Sequence, residues 1–143
     1  MRDFIRALSI FSPHAHWLLR ITVAAVFLYH GLTKFADLHG AAYQLGLSLS
    51  LALFVAILES AGALLVLLGG LGPDWATRFG GLCHTIVMVG AIVTVHMPRW
   101  DGANGGVEFP LTLLAISLFF VFRGNTIMRT PLYGLDRTES RLR

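Results

Sequence analysis

The sequence predicts an all-α integral membrane protein, a four-helix bundle whose helices run up-down-up-down. Hydrophobic residues make up 55% of the 143 residues and charged residues 13%, whereas soluble domains average about 25% charged residues. Four apolar stretches cover most of the chain, and a helix needs roughly 20 such residues to cross about 30 Å of hydrocarbon. The composition therefore excludes a soluble domain, and the predicted partner is a lipid bilayer rather than a nucleic acid.

The four predicted spans follow one another along the chain with short connections. They cover residues 17–35, about 49–71, 76–96 and about 107–122. The connections are residues 36–48, a tight Gly72-Pro73-Asp74 turn, and a glycine-containing loop from Pro98 to Gly106. The fourth span is short, so it would cross the bilayer with little tilt or with local thinning of the lipid.

The distribution of positive charge predicts the orientation of the spans. If the four spans alternate, nine arginines fall on one side, and Lys34 and Arg99 on the other. The positive-inside rule places the arginine-rich side, and with it both termini, in the cytoplasm. We therefore expect a cytoplasmic interfacial segment (1–16), a transmembrane domain (17–123) and a cytoplasmic arginine-rich tail (124–143).

Four ionisable side chains, His30, Lys34, Glu59 and Glu108, interrupt the predicted spans. A charge at the centre of a bilayer costs at least about 2.5–3.5 kcal/mol. A helical rise of about 1.5 Å per residue places His30 and Glu59 at the same depth, with Lys34 and Glu108 slightly nearer the outer face. His30 and Lys34 are four residues apart and share a helix face. We therefore expect two acids and two bases to converge in the outer half of the bundle.

Two interpretations of this cluster remain open. The charges could pair with one another and only hold the helices in register. Alternatively, they could line a polar pocket that binds the carbonyl group of a quinone or carries protons, since histidine exchanges protons near neutral pH. His96, at the end of the third span, would lie near the mouth of such a pocket.

Two glycines would pack around the predicted pocket. Gly31 follows His30 directly, and Gly62 lies one helical turn beyond Glu59. Gly62 would either let two helices approach closely, as small residues do in membranes, or leave room for a flat ligand. No metal-ligand spacing, phosphate loop or nucleophile motif is present. The single cysteine, Cys83, excludes an intramolecular disulfide and the chemistry of a CxxC motif.

Motifs at the ends of the spans resemble those of the DoxX family of membrane proteins. Residues 29–35 (YHGLTKF) resemble the His-Gly-x-x-Lys signature that closes the first span, and 59–62 (ESAG) the Glu-x-x-Gly motif of the second. His96 ends the third span as the family's histidine does. Residues 106–111 (GVEFPL) resemble the opening of the fourth span, and 134–137 (GLDR) the Ser-Leu-Asp ending. The resemblance covers residues 17–137.

The resemblance implies a four-helix protein of the bacterial inner membrane. Relatives in the family include a subunit of thiosulfate:quinone oxidoreductase and a partner of thiol and superoxide defence enzymes. The chain departs from the family pattern at three places. Val107 replaces an aromatic residue, Ser48 replaces a proline, and the segment 124–133 is longer. The longer segment could change a cytoplasmic partner.

The first functional hypothesis is a membrane subunit of a redox system that binds quinone, or a small apolar ligand, in the outer-half pocket. In this hypothesis Glu59 and His30 handle protons, while Lys34 and Glu108 orient the polar group of the ligand. No covalently bound cofactor is expected. The chain has no flavin, haem or metal motif, so we do not expect it to catalyse a redox reaction alone, and the sequence leaves open whether it is part of an enzyme.

The second hypothesis is a non-enzymatic membrane partner or assembly protein. Its charge pairs would be structural, and its tail, residues 124–143, would recruit a protein of a redox complex. A small transporter is less well supported, because the sequence shows no inverted repeat and no broken helix.

Overall fold

The computed structural model describes residues 14–125, which are mostly helical and include no strand. The helices are α1 (Ala15–Ala36), α2 (Leu38–Leu45), α3 (Leu49–Gly69), α4 (Asp74–Ala91) and α5 (Glu108–Arg123), and α4 continues into a π-helical turn (Ile92–His96). Within this part of the chain, three helices are long and apolar enough to cross a membrane: α1, α3, and α4 with its π-helical turn. The prediction of an all-α membrane protein is confirmed.

The long helices begin and end close to the predicted limits of the spans. The fourth, α5, has 16 residues, which correspond to about 24 Å of helix, less than the roughly 30 Å of hydrocarbon in a bilayer. Most of the predicted interfacial segment (1–16) and nearly all of the predicted tail (124–143) lie outside the described residues.

The short helix α2 lies in a connection for which the sequence predicted no helix. The Asp37 carboxylate accepts a hydrogen bond from the backbone N–H of Gly40 at 2.8 Å and caps the start of the helix. Gly46 ends it in the left-handed conformation, with φ of 64°. With eight residues, α2 is too short for hydrophobic periodicity to reveal it.

Helices α3 and α4 lie at the centre of the packed helices, which we call the bundle. Helix α3 packs between α1 and α4, helix α4 packs between α3 and α5, and α1 meets α5 over a much smaller stretch. Glycines bring α3 and α4 into backbone contact: a Cβ atom on Gly80 would lie 2.7 Å from the carbonyl oxygen of Gly62, and one on Gly69 would lie 2.8 Å from the backbone nitrogen of Thr77. This is the close approach that small residues allow between membrane helices.

The two ends of the bundle differ. At one end, which we call the closed end, the turn at residues 70–73 lies beside the first turns of α1 and the chain that follows α5. At the other, the cavity end, Leu45 of α2 and His96 line a cavity, and the loop at residues 97–107 is joined to His96 through the Gly105 carbonyl. The buried apolar core between the ends includes Val23, Phe27, Ala63, Val87 and Leu113.

Candidate functional site

The cavity at the cavity end has a volume of about 450 Å³, within the range of about 300–1,000 Å³ that is typical of small-molecule sites. Its wall is largely apolar and includes Val26, Phe27, Val55, Leu58, Val87 and Leu113. Its polar side chains include His30, Lys34, Glu59 and His96. Such a cavity suits a mostly apolar ligand that carries a polar group at one end.

An ion pair between Lys34 on α1 and Glu59 on α3 forms the polar end of the cavity. The ammonium nitrogen of Lys34 lies 2.9 Å from Oε1 and 2.8 Å from Oε2 of Glu59. The two side chains are only 13% and 5% exposed. Lys34 also donates to the carbonyl oxygen of His30 at 3.3 Å. Each charge therefore has a partner of opposite sign or a carbonyl, which offsets the cost of removing it from water.

The pair leaves hydrogen-bonding capacity that faces the cavity. An ammonium group has three N–H donors, so Lys34 is satisfied by the two Glu59 oxygens and the His30 carbonyl. A carboxylate offers about four acceptor positions, and Lys34 occupies one on each oxygen of Glu59. Since Glu59 lines the cavity, its remaining positions can accept a hydrogen bond from a ligand.

Two histidines contribute to the same cavity from different helices. The His30 ring lines the cavity wall on α1 and is exposed. His96, in the π-helical turn after α4, has Nδ1 2.8 Å from the carbonyl oxygen of Gly105, which joins this turn to the following loop. An imidazole can donate or accept, so His30 can meet either a hydroxyl or a carbonyl group of a ligand.

The structure places Glu108 away from the Lys34–Glu59 pair. Glu108 is the first residue of α5, and its carboxylate accepts a hydrogen bond from the backbone N–H of Gly102 at 2.8 Å. It does not belong to the cavity wall. The expected convergence of four charges is therefore found for His30, Lys34 and Glu59 alone, because the Glu108 side chain turns back onto the loop instead of into the bundle.

His84 on α4 supports Glu59 from behind. Its ring is fully buried and stacks on Phe27, with the ring centroids 3.7 Å apart. Its Nε2 atom lies 3.3 Å from the Glu59 carbonyl oxygen. A Cβ atom on Gly62 would lie 2.8 Å from this ring, so the His84 ring, rather than a flat ligand, takes the space beside Gly62.

Gly31 lies where α1 meets α3. A Cβ atom there would lie 3.1 Å from the carbonyl oxygen of Ala56 and 3.0 Å from the backbone nitrogen of Ser60. The absence of a side chain at Gly31 lets the stretch of α1 that carries His30 and Lys34 lie close to α3, which carries Glu59. This close approach is compatible with the short Lys34–Glu59 ion pair.

A second buried charge, Arg20, lies at the closed end. Its side chain is 0% exposed. The guanidinium donates to the Val66 carbonyl oxygen, to Thr77 Oγ1 at 2.9 Å and to Asn125 Oδ1 at 2.7 Å. The distribution of positive charge predicted Arg20 only as a cytoplasmic residue, although its place three residues inside the first predicted span is a signal of burial.

Asn125 extends this hydrogen-bonded network to the rest of the closed end. Its side-chain nitrogen donates to the carbonyl oxygens of Gly69 and Gly72 at 2.8 and 3.1 Å. Its backbone N–H donates to the Asp74 carboxylate at 2.5 Å, and Arg78 donates to the same carboxylate. We call Arg20, Thr77 and Asn125 the Arg20 network; it ties α1, α3, α4 and the end of α5 together.

Comparison with known proteins identifies the family. The family model described as DoxX matches residues 15–97, more than half of the chain. The chain belongs to the DoxX family. The matched residues include the Lys34–Glu59 pair, His30 and His96, so the family match covers most of the polar side chains of the cavity.

This DoxX protein is also similar to a curated relative from Bacillus subtilis (strain 168), named "Putative oxidoreductase CatD". The two are 31% identical over 114 residues, which cover 78% of this chain and 80% of the relative. No solved structure matches the chain. Among residues 14–125, no three His, Cys, Asp or Glu side chains group together as metal ligands do.

Proposed function

We propose that this DoxX protein is a membrane subunit of a redox system and that its cavity binds a quinone, or a comparable small apolar ligand, beside Glu59. The observation that carries the proposal is a buried ion pair at the polar end of an apolar cavity of ligand size. The name of the Bacillus subtilis relative supports the general class of oxidoreductase. An ionisable group inside a membrane-spanning segment is a reason to look for a site, and here the cavity beside the ion pair supplies the space for a ligand.

The residues of the cavity fit a quinone. The apolar wall would cover its ring, Glu59 can accept a hydrogen bond from a hydroxyl group of the reduced form, and the His30 ring can donate one to a carbonyl group of the oxidised form. A bound quinone would supply reversible electron and proton transfer. In this proposal Glu59 and His30 take up and release protons, and Lys34 orients the Glu59 carboxylate.

We infer that the protein lies in the bacterial inner membrane. The four long helices would alternate across the bilayer, with both termini in the cytoplasm and the cavity in the outer half. The support is the arginine distribution along the chain and the positive-inside rule. Because α5 is short, the bilayer would be locally thinned beside it.

The test is the thermal stability of the purified protein in mild detergent, with and without a tail-less benzoquinone derivative. A ligand that binds the folded state raises its stability, so we expect the unfolding midpoint to rise for the native protein and not for Glu59→Gln. Glu108→Gln is the matched control, since Glu108 lies outside the cavity, and it should respond like the native protein. A native protein whose midpoint does not move would contradict the proposal.

A second candidate function is that of a non-enzymatic partner or assembly protein with a structural ion pair. The observation that favours it is that all three donors of Lys34 have partners within the protein. In this function the tail would recruit a protein of a redox complex. The test is a truncation after Asn125, which keeps the Arg20 network intact; if the truncated protein still co-purifies with the same partner as the full chain, recruitment by the tail is wrong.

A further inference from the structure

Helices α3 and α4 are in contact at one end of their length and apart at the other. Toward the closed end, Gly62 and Gly69 on α3 meet α4 directly. Leu58 and Leu51 lie four and eleven residues before Gly62, on the same face of α3, and both line the cavity. The face of α3 that contacts α4 near the closed end therefore faces open space near the cavity end.

Helix α4 shows the same change of surroundings. Gly80 is pressed against α3, with the Gly62 carbonyl oxygen 2.7 Å from the place of its Cβ. Val87 and Ala91 follow on the same face, seven and eleven residues later, and line the cavity. A Cβ atom on Gly90 would have no atom within 4 Å. The two helices thus form a fork that is closed at Gly62 and Gly80 and open beyond His84.

The open end of the fork reaches the side of the molecule. Leu51 and Phe54 on α3 and Ile86 on α4 line the cavity and are still 45%, 51% and 51% exposed. Gly90 is exposed as well. In a membrane this side faces hydrocarbon, so the rim of the opening is an apolar surface that continues into the lipid.

We propose that the ligand of the cavity is a long-tailed amphiphile that enters from the bilayer between α3 and α4, with its polar head beside Glu59 and its tail between Phe54 and Gly90. This inference rests on the proposed function and deepens it, because it specifies a tailed, lipid-soluble ligand. A cavity of about 450 Å³ is of the size that encloses a small molecule, so the tail of a membrane lipid or isoprenoid has to leave it through a side opening.

The side of the cavity between α1 and α5 suits a tail less well than the side between α3 and α4. These helices meet over a small stretch, and cavity residues on this side include Phe109 and His30, both exposed. A hydrocarbon tail there would cover the His30 ring and remove it from hydrogen-bonding partners, which costs free energy. The rim between α3 and α4 at Leu51, Phe54, Ile86 and Gly90 carries no such group.

Photolabelling in lipid nanodiscs tests the route. The probe is a benzoquinone with an isoprenoid tail that carries a photoreactive diazirine, and the labelled peptides are identified by mass spectrometry. We expect saturable labelling of residues 51–54 and 86–90 that excess tail-less benzoquinone prevents. Labelling at residues 26–30 and 109–113 instead would overturn the route while leaving the proposed function standing. Labelling that neither saturates nor responds to the competitor would overturn both.

A substitution at Gly90 provides the second test. Gly90→Leu places a side chain in the open fork, where the structure has free space for it. The affinity of the Gly90→Leu variant for the tailed probe should fall by about tenfold more than the affinity of the same variant for tail-less benzoquinone. Val89→Leu is the matched control, since Val89 is exposed on the same helix and is absent from the cavity wall; it should keep the native ratio. Equal changes in the two affinities for Gly90→Leu would overturn the inference.

Discussion

Arg20 and Lys34 are two cations among the same packed helices, the first fully buried and the second 13% exposed, and their surroundings differ. The Arg20 guanidinium is held by a carbonyl, a hydroxyl and an amide from three segments of the closed end, and Trp17 and Phe120 flank it. Lys34 binds one carboxylate and a carbonyl of its own helix, beside a cavity. Burial of a charge is common to both, so it does not by itself mark a site; free volume and spare acceptor positions next to the charge distinguish Lys34 and Glu59.

The largest expected change in stability is at Arg20. Arg20→Ala removes the Arg20 donor from the Val66 carbonyl and from Thr77 Oγ1, while Asn125 Oδ1 keeps the hydrogen bond from the Thr77 hydroxyl. Each unsatisfied buried group costs about 1–3 kcal/mol, and the loss of the packed side chain adds to this cost. We therefore expect the free energy of unfolding in mild detergent to fall by on the order of 5 kcal/mol. Arg123→Ala, an exposed arginine at the same end, is the control. Equal stability of the two variants would show that the Arg20 network does not hold the closed end together.

The Lys34–Glu59 pair should respond differently to single and double substitution. Lys34→Met leaves the Glu59 charge buried without its partner, and we expect a loss of about 3–5 kcal/mol. The double variant Lys34→Met/Glu59→Leu removes both charges, so its stability should return to within about 1 kcal/mol of the native value. Both variants should lose the response to quinone. A double variant as unstable as Lys34→Met would show that the pair is needed for the fold itself.

Two glycines, Gly62 at the closed part of the fork and Gly90 at its open part, should respond in opposite directions to the same substitution. Gly62→Ala drives a methyl group into the His84 ring, and overpacking of this kind costs about 1–3 kcal/mol. Gly90→Ala adds a methyl group to open space and should raise stability by about 0.5–1 kcal/mol through helix propensity. Thermal unfolding of both variants beside the native protein measures the difference. A destabilised Gly90→Ala would mean that the fork is closed.

The smallest expected effect concerns threonine hydroxyls on α4. Thr77 accepts from Arg20 and donates to Asn125, whereas Thr85 donates to the Gly81 carbonyl of its own helix. Thr77→Val should therefore cost about 1–2 kcal/mol, and Thr85→Val less than about 0.5 kcal/mol. Similar values for the two substitutions would indicate that the hydroxyl of Thr77 adds little to the network.

Helix positions were largely predictable from the sequence, and side-chain partners were predictable only in part. Apolar runs of membrane-spanning length predicted α1, α3, α4 and, as the shortest, α5. Helix α2 was missed because its capping by Asp37 and Gly46 is a local feature with no periodicity. Depth counting placed Glu59 level with His30 and placed Lys34 nearer the outer face, because a straight helix rises by a constant amount per residue. In the structure it is the ammonium group of Lys34 that reaches the Glu59 carboxylate.

Depth counting assigned Glu108 a depth but not a side-chain direction, and the burial of Arg20 was not predicted. Glu108 is the first residue of α5, where rotation of the side chain can direct the carboxylate either between the helices or toward the loop. In the structure the carboxylate accepts a hydrogen bond from the Gly102 N–H in the loop. Besides His16 on its own helix, Arg20 bonds to groups that lie 46, 57 and 105 residues further along the chain. Such contacts depend on how helices pack against one another, which local sequence patterns do not encode.

By itself the sequence determined that this protein is helical, that it crosses a membrane and that charges interrupt its spans, since composition and length are properties of each segment alone. The tertiary structure decided which charge has space around it. The glycines at 62 and 80 hold α3 and α4 together at one end, and the helices part at the other, beside Glu59. A cavity is the space left between segments, so it exists only once the helices have packed.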